Sequence, residues 1–404
     1  MAPDSLPSGV CPRCGALGTV PQPCLTGSCA QQEIRLIPQG YASRDGASDP
    51  LVGRFIDGYL VVGVLGAGGM GAVHLAIDPA IGLKVALKTL FVAEAWKDHE
   101  EKLRTRFLDE ARALARIHHP NIVRIHRYGQ VDGTPYMAME LVHGGRTLAD
   151  DMDKRIAAGY WFQRPEVMRI MGELLAGLSA VHAAGVVHRD IKPENMMLQP
   201  VEGLPDMVRL VDFGVAALFG TGKPDNELAG TPEYMAPEQL LGAPVGPWTD
   251  LYACGVVAYE MLTDKRPFPF DHRDTLLMAK MDPNYQPTSP LVGGGYPPEL
   301  LAFLAKALSY DRRQRYATAQ EFRAGLKEAI DAFNVSATLF RQMGAGSAAS
   351  NAAFQNWLAG ERQRLEDKRQ SLEPKVRKPT GKHIAVVREE QATPMLKPSD
   401  IPKK

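Results

Sequence analysis

Between residues 54 and 333 the hydrophobic pattern is mainly strand-like up to residue 141 and helical beyond Leu148, and that division limits the folds open to the chain. Residues 59–65, 72–77 and 84–90 read as strands. Residues 101–117 carry Leu103, Phe107, Leu108, Ala111, Leu114 and Ala115 at near-helical spacing, and Pro120 would stop that helix. Residues 122–128 and 136–141 return to strand composition. Beyond Leu148 helices dominate, at 165–183, 249–262, 275–281, 298–308 and 319–333. The pattern predicts an α+β fold in which a small strand-rich lobe with one helix precedes a larger helical lobe. The cleft between such lobes is a natural ligand site.

The 404 residues exceed one average domain, and composition divides them into three regions. Residues 1–50 hold four of the five cysteines and end in the turn-rich stretch 42–48. The patterned region is 54–333. Residues 334–404 form a tail rich in Ala, Gln, Lys and Pro, partly helical and mostly disordered by composition. Within it Phe354, Trp357, Leu358 and Leu365 fall on one helical face. The 46 basic and 46 acidic side chains balance, so charge gives no argument for nucleic-acid or membrane steering. The N-terminus lacks the basic cluster and apolar run of a signal peptide. Residues 58–77 are free of Asp, Glu, Lys and Arg and approach spanning length, but their glycines favour strand–turn–strand. The expectation is a cytoplasmic protein without a membrane span.

The chemistry concentrates in His188-Arg189-Asp190-Ile191-Lys192-Pro193-Glu194-Asn195, followed by Asp212-Phe213-Gly214. Asp190 can accept the proton of an attacking hydroxyl, and Lys192 can neutralise charge on a transferred phosphoryl group. Asn195 and Asp212 offer the oxygen ligands that Mg²⁺ prefers. Upstream, Gly66-Ala67-Gly68-Gly69-Met70-Gly71, with Val73 two residues on, would let backbone N–H groups approach phosphate. The same glycine spacing occurs in dinucleotide folds, which want a helix straight after it; here a strand-like stretch follows. That strand leads to Val85-Ala86-Leu87-Lys88, where an apolar strand delivers a lone ammonium that burial alone would make costly. Glu110, beside the apolar stripe of the helix, is its expected partner.

Taken together these motifs resemble the Ser/Thr protein kinase domains of eukaryotic type found in bacteria. Lys192, two positions after Asp190 and followed by Pro-Glu-Asn, is similar to the Ser/Thr-specific version of the catalytic loop. The resemblance extends to the residues at 116–123, 136–142 and 230–238. It implies ATP with Mg²⁺ or Mn²⁺ as cofactors, and protein substrates with Ser or Thr acceptors. It implies Lys88, Glu110, Asp190 and Lys192 as catalytic, and Asn195 and Asp212 as metal ligands. Leu65, Ala86 and the glycine-rich segment would surround the nucleotide. Met139 would stand behind adenine, the backbone of Glu140 and Val142 would hydrogen-bond it, and Val73 and Met197 would sandwich it. Asp250 would brace the catalytic loop, and Glu238 would pair with Arg315, although Arg312 or Arg313 could serve instead.

Because every position needed for chemistry is filled, an active enzyme is the leading expectation, and a catalytically weak nucleotide-binding scaffold is the alternative. Arg189 invites an anionic partner, either phosphorylated Thr221 or one of Asp225 and Glu227. The pairs Cys11/Cys14 and Cys24/Cys29 suit a closed structural Zn²⁺ site in a reducing compartment. Free thiols or disulfides are the alternatives. The cysteine segment and the tail are candidate docking elements for partners.

Overall fold

The computed structural model describes residues 8–41, 49–68, 71–90, 100–213, 231–291 and 296–343. At the N-terminus, β1 (Ser8–Val10), β2 (Leu17–Thr19), the short α1 (Gly27–Gln31) and β3 (Ile37–Pro38) build a small unit with strand order β2-β1-β3. The chain then enters an antiparallel sheet of β4 (Phe55–Ile56), β5 (Tyr59–Gly68), β6 (Gly71–Asp78) and β7 (Leu83–Leu90). One helix, α2 (Glu100–Leu114), precedes β8 (Ile125–Val131) and β9 (Thr134–Glu140). The order across the six strands is β4-β5-β6-β7-β9-β8. Phe107, Ala111 and Leu114 bury one stripe of α2 in the same core as Met137 and Met139 of β9.

The uncharged stretch considered as a membrane candidate is the β5–β6 hairpin, and among the described residues no helix is long and apolar enough to cross a membrane. Gly71 closes that hairpin at φ 152°, where a Cβ would collide with the Thr89 carbonyl at 2.0 Å. Gly69 and Met70 lie outside the described residues.

The second lobe begins with β10 (Arg146–Thr147) and α3 (Leu148–Ala158). Helix α3 starts at a reciprocal cap, Thr147 Oγ1 accepting from the Asp150 N–H at 3.0 Å while Asp150 accepts from the Thr147 N–H at 2.9 Å. It is followed by α4 (Arg164–Ala183), the hairpin β11 (Met196–Val201) and β12 (Leu204–Leu210), α5 (Pro237–Leu240), α6 (Pro247–Thr263), α7 (Arg273–Met281), α8 (Pro298–Ala307) and α9 (Ala319–Met343). Nearly every residue of α6 is buried, so it serves as the axle on which α4 and α8 pack.

Differences from the sequence reading are local. The helix expected over 101–117 ends at Leu114 in a turn, and the strand expected from Ile122 starts at Ile125. Ile122 instead makes a single parallel bridge to Leu210, tying the two lobes together. Helix α3 was not anticipated, and α9 continues ten residues past the expected end at Phe333. The cysteine segment does not stand apart from the first lobe. Its Val20 and Ile37 share an apolar core with Val52, Leu60, Val61, Leu75, Val85 and Leu87.

Candidate active site

The β11–β12 hairpin turns at Gly203 and pairs Met196 with Leu210. Asn195 therefore precedes one strand while Asp212 follows the other, and the Val211 N–H donates to the Asn195 carbonyl at 2.9 Å. Lys88 enters from β7, in register with Val73 on one side and Met137 on the other. Its ammonium donates to Asp212 Oδ1 and approaches the Phe213 carbonyl at 3.4 Å. Residues 124 positions apart in sequence thus meet in the cleft.

Asp190 belongs to a second group beside this pair, near enough for the Lys192 charge to act on Asp212. The Asp190 carboxylate accepts from Lys192 Nζ at 2.8 Å and from Asn195 Nδ2 at 2.9 Å. The Asn195 amide nitrogen also donates to the Asp190 carbonyl at 2.7 Å, which leaves the amide oxygen as the atom available to a cation. Burial alone would lower Lys192, but the Asp190 carboxylate outweighs it and holds the ammonium above its ordinary range. Burial would raise Asp212, yet the charges of Lys88 and Lys192 hold it below the usual carboxylate range. Both groups are therefore charged at neutral pH.

Asp250, in the first turn of α6, fixes the loop backbone. It accepts from the His188 N–H at 2.8 Å, the Arg189 N–H at 2.7 Å and His182 Nε2 at 2.8 Å. Arg189 is held at φ 66°, a left-handed conformation that a non-glycine residue adopts only under such constraint. His188 is fully buried against Phe213, with ring centroids 4.5 Å apart. The bracing implied for Asp250 is present, and His182 is a third contact that sequence reasoning missed; its place in the last turn of α4 was the available signal.

Among the described residues, no ion pair joins Lys88 to Glu110, contrary to the expected pairing. Lys88 is engaged with Asp212, and Glu110 Oε2 is buried without a hydrogen-bond partner. Burial pushes the Glu110 carboxyl up, and the charges of Arg189 and Lys88 offset this only in part. The position of α2, which local sequence does not encode, decides this contact.

Of the residues expected around a nucleotide, several lie on the strands that flank Lys88 and Asp212. Leu65, Met139, Val142 and Met197 are buried, Val73 and Ala86 partly so, and Ala86 faces Met139 across the β7–β9 pairing. The Glu140 N–H donates to the Arg124 carbonyl at 2.8 Å, leaving only the Glu140 carbonyl for a ligand. Farther out, Arg315 makes a bidentate pair with Glu238 at 2.8 and 2.9 Å, its side chain fully enclosed. Arg313 turns instead to Asp311, and Arg312 donates to the Pro244 carbonyl while lying over Trp248. Thr221, Asp225 and Glu227 lie outside the described residues, as do Phe354, Trp357, Leu358 and Leu365.

The four N-terminal cysteines converge. Their sulfurs all lie within 4.8 Å of one another, with Cys14 and Cys24 at 3.5 Å, and no disulfide joins them. Thiolates on one tetrahedral Zn²⁺ are expected about 3.8 Å apart, from a Zn–S bond near 2.3 Å. Burial pushes Cys11 up and Cys29 up to about 12, while the Ala16 N–H draws Cys14 down to about 7. A set of four thiols so placed fits a closed metal site.

Comparison with known proteins agrees with this geometry. Residues 59–324 match the protein kinase domain family, and the chain belongs to that family. It is 34% identical over 299 residues to the serine/threonine-protein kinase pkn3 of Myxococcus xanthus, covering 70% of this chain and 52% of that protein. It is 37% identical over 290 residues to Pkn1 of the same organism, covering 70% of this chain and 40% of that protein. The chain thus spans about half the length of these curated relatives. With the serine/threonine-protein kinase PknL of Mycobacterium bovis it shares 33% identity over 289 residues, covering 70% and 68% of the two chains. The crystal structure of the Mycobacterium tuberculosis PknI kinase domain superposes with a TM-score of 0.53 at 27% identity, covering 71% of this chain and 100% of that one. The chain is therefore one of the eukaryotic-like Ser/Thr kinase family of bacteria.

Proposed function

We propose that this chain transfers the γ-phosphoryl group of ATP to Ser or Thr hydroxyls of protein substrates. The observation that carries the reading is the pair of hydrogen-bonded groups Lys88–Asp212 and Asp190–Lys192–Asn195, placed so close that the Lys192 charge acts on Asp212. In the proposed step the substrate oxygen forms a bond to the γ-phosphorus, and the bond from that phosphorus to the β–γ bridging oxygen breaks. ADP departs with the bond's electrons, and the hydroxyl proton passes to Asp190. Lys192 faces the transferred group. Lys88 is displaced from Asp212 towards the nucleotide phosphates when ATP is bound, and Glu110 then receives its ammonium. Asn195 and Asp212 would hold Mg²⁺ or Mn²⁺, which neutralises charge developing on the phosphates. Leu65, Gly66, Ala67, Gly68, Gly69, Met70, Gly71, Val73, Ala86, Met139, Glu140, Val142 and Met197 surround the nucleotide in this reading.

Arg189 Nε is buried without a hydrogen-bond partner, which supports an anionic group from the segment after Phe213 as its ligand, phosphorylated Thr221 first among the candidates. The four-cysteine cluster takes a structural Zn²⁺, supported by its sulfur spacing and by the free state of all four thiols. A cytoplasmic location suits those thiols, because a reducing compartment preserves them. Incubation with labelled ATP, Mg²⁺ and a generic basic protein, followed by phosphoamino-acid analysis, tests the reading. Labelled phosphoserine or phosphothreonine is expected. Nucleotide binding without any transfer, to substrate or to itself, would leave a scaffold.

A further inference from the structure

The four-cysteine unit is built too small to hold its shape by apolar burial. Its own core consists of Cys11, Cys24, Cys29, Ile34 and Leu36, three of them metal-ligand candidates. Its opposite face is fused to the kinase sheet, where Val20 and Ile37 join the core beneath β5, β6 and β7. Backbone hydrogen bonds continue the connection. The Arg35 N–H donates to the Gly53 carbonyl at 2.7 Å, and the Gly53 N–H donates to the Val61 carbonyl of β5 at 2.9 Å. Gly53 permits this approach at φ 87°, since a Cβ there would meet Ile34 at 2.9 Å and Pro12 at 3.0 Å.

A polar chain runs from the metal-ligand loop to the nucleotide strands. Arg13 sits between Cys11 and Cys14, in a knuckle closed by the Gly15 N–H donating to the Cys11 carbonyl at 3.0 Å. Its guanidinium donates to the Asp49 carbonyl. The Asp49 carboxylate accepts from the Leu51 N–H at 2.8 Å and from His74 Nε2 at 3.2 Å. His74 is fully buried in β6, paired across the sheet with Val64 and Leu87. Its chain neighbour Val73 is paired with Gly66 of the glycine-rich segment and with Lys88. Four residues therefore connect the cysteine knuckle to the roof of the nucleotide cleft. A buried imidazole with a single side-chain partner is a demanding thing to place in a strand, and Asp49 supplies that partner only while its own backbone is held.

We propose that Arg13, Asp49 and His74 are positioning residues for nucleotide binding, and that metal loading of the cysteine cluster sets them through the Cys11–Cys14 knuckle. This rests on the zinc reading above. The cluster is then an integral brace of the first lobe, and its state is read out in affinity for MgATP ahead of the rate of transfer.

The test uses the full chain and measures zinc content by mass spectrometry, MgATP affinity by calorimetry and kcat for phosphoryl transfer. The wild type is expected to hold one zinc per chain. Arg13→Ala is expected to keep that zinc, to weaken MgATP binding on the order of five- to tenfold, the low end for coupled sites, and to leave kcat within about twofold, a change that is minor on the barrier scale. Arg13→Lys should restore affinity, and chelation of the wild type should reproduce the alanine effect. A chain that takes up no zinc sinks the zinc reading and this inference together. One zinc per chain with unchanged MgATP affinity in Arg13→Ala overturns the inference alone. So does a loss of kcat as large as the loss of affinity, which would mark general destabilisation.

Discussion

The contact whose removal can be worked out most fully is the carboxylate of Asp250. It is fully buried and serves two backbone N–H groups and one imidazole, at 2.7–2.8 Å. In Asp250→Asn the amide oxygen can keep the position that serves His188 and His182. Its nitrogen then opposes the Arg189 N–H, donor against donor. One charge-assisted bond disappears, worth roughly 1.5–3 kcal/mol, and the remaining buried N–H adds a penalty of similar size. Allowing for partial relaxation, the variant should lose about 2–4 kcal/mol, a loss a domain of ordinary stability survives folded. The freed backbone is that of Arg189, at φ 66° and adjacent to Asp190. Its relaxation moves the base, so kcat should fall more than MgATP affinity. Urea denaturation gives the stability and steady-state transfer assays give kcat. A variant within about 0.5 kcal/mol of wild type, with unchanged kcat, would refute the reasoning.

Arg315→Ala strands the Glu238 carboxylate in the interior and should cost about 3–5 kcal/mol by the same denaturation assay, whereas Arg313→Ala should leave the midpoint unchanged because that pair is solvated. Glu110 gives a pH signature. Its folded carboxyl is raised by burial, so the folded state holds the proton more tightly, and Glu110's contribution to stability is full below the ordinary value of 4.5 and lost as pH rises through the raised value. Nucleotide-free Glu110→Gln should therefore match wild type near pH 4 and be the more stable of the two at pH 7, measured by thermal unfolding at both. Asp212 acts in the opposite sense. Its depressed folded value gives stability that is present above the ordinary 3.8 and lost as pH falls, and Asp212→Asn should remove that acid-limb dependence.

Much of the site was legible because its chemistry depends on residue types at short spacing. The run from His188 to Asn195, the Asp212-Phe213-Gly214 triplet and the strand carrying Lys88 each advertise a local geometry, and the structure brings Lys88 onto Asp212 with Asp190, Lys192 and Asn195 beside them. The partner of Lys88 was not legible. Whether Glu110 reaches it depends on where α2 lies relative to the sheet, a rigid-body quantity that no local pattern carries. The choice among Arg312, Arg313 and Arg315 was equally open in sequence, and the carbonyls of Ser309, Trp248 and Tyr310, which accept from Arg315, decide it. Helix α3 did carry a signal, Thr147 with Asp150 three residues on, but its interior holds too many charged residues to read as an apolar stripe. The docking of the cysteine unit on the sheet rests on Val20, Ile37 and Val52, apolar residues far apart in sequence that share no period. Only their convergence in space gives them meaning.

The most direct test of the central claim is a side-by-side measurement of MgATP affinity and phosphoryl transfer for wild type and Asp190→Asn. Affinity should change little and transfer should fall by roughly 10²–10⁴-fold, the range for loss of a positioned base. An Asp190→Asn variant that transfers phosphate at the wild-type rate would contradict that claim.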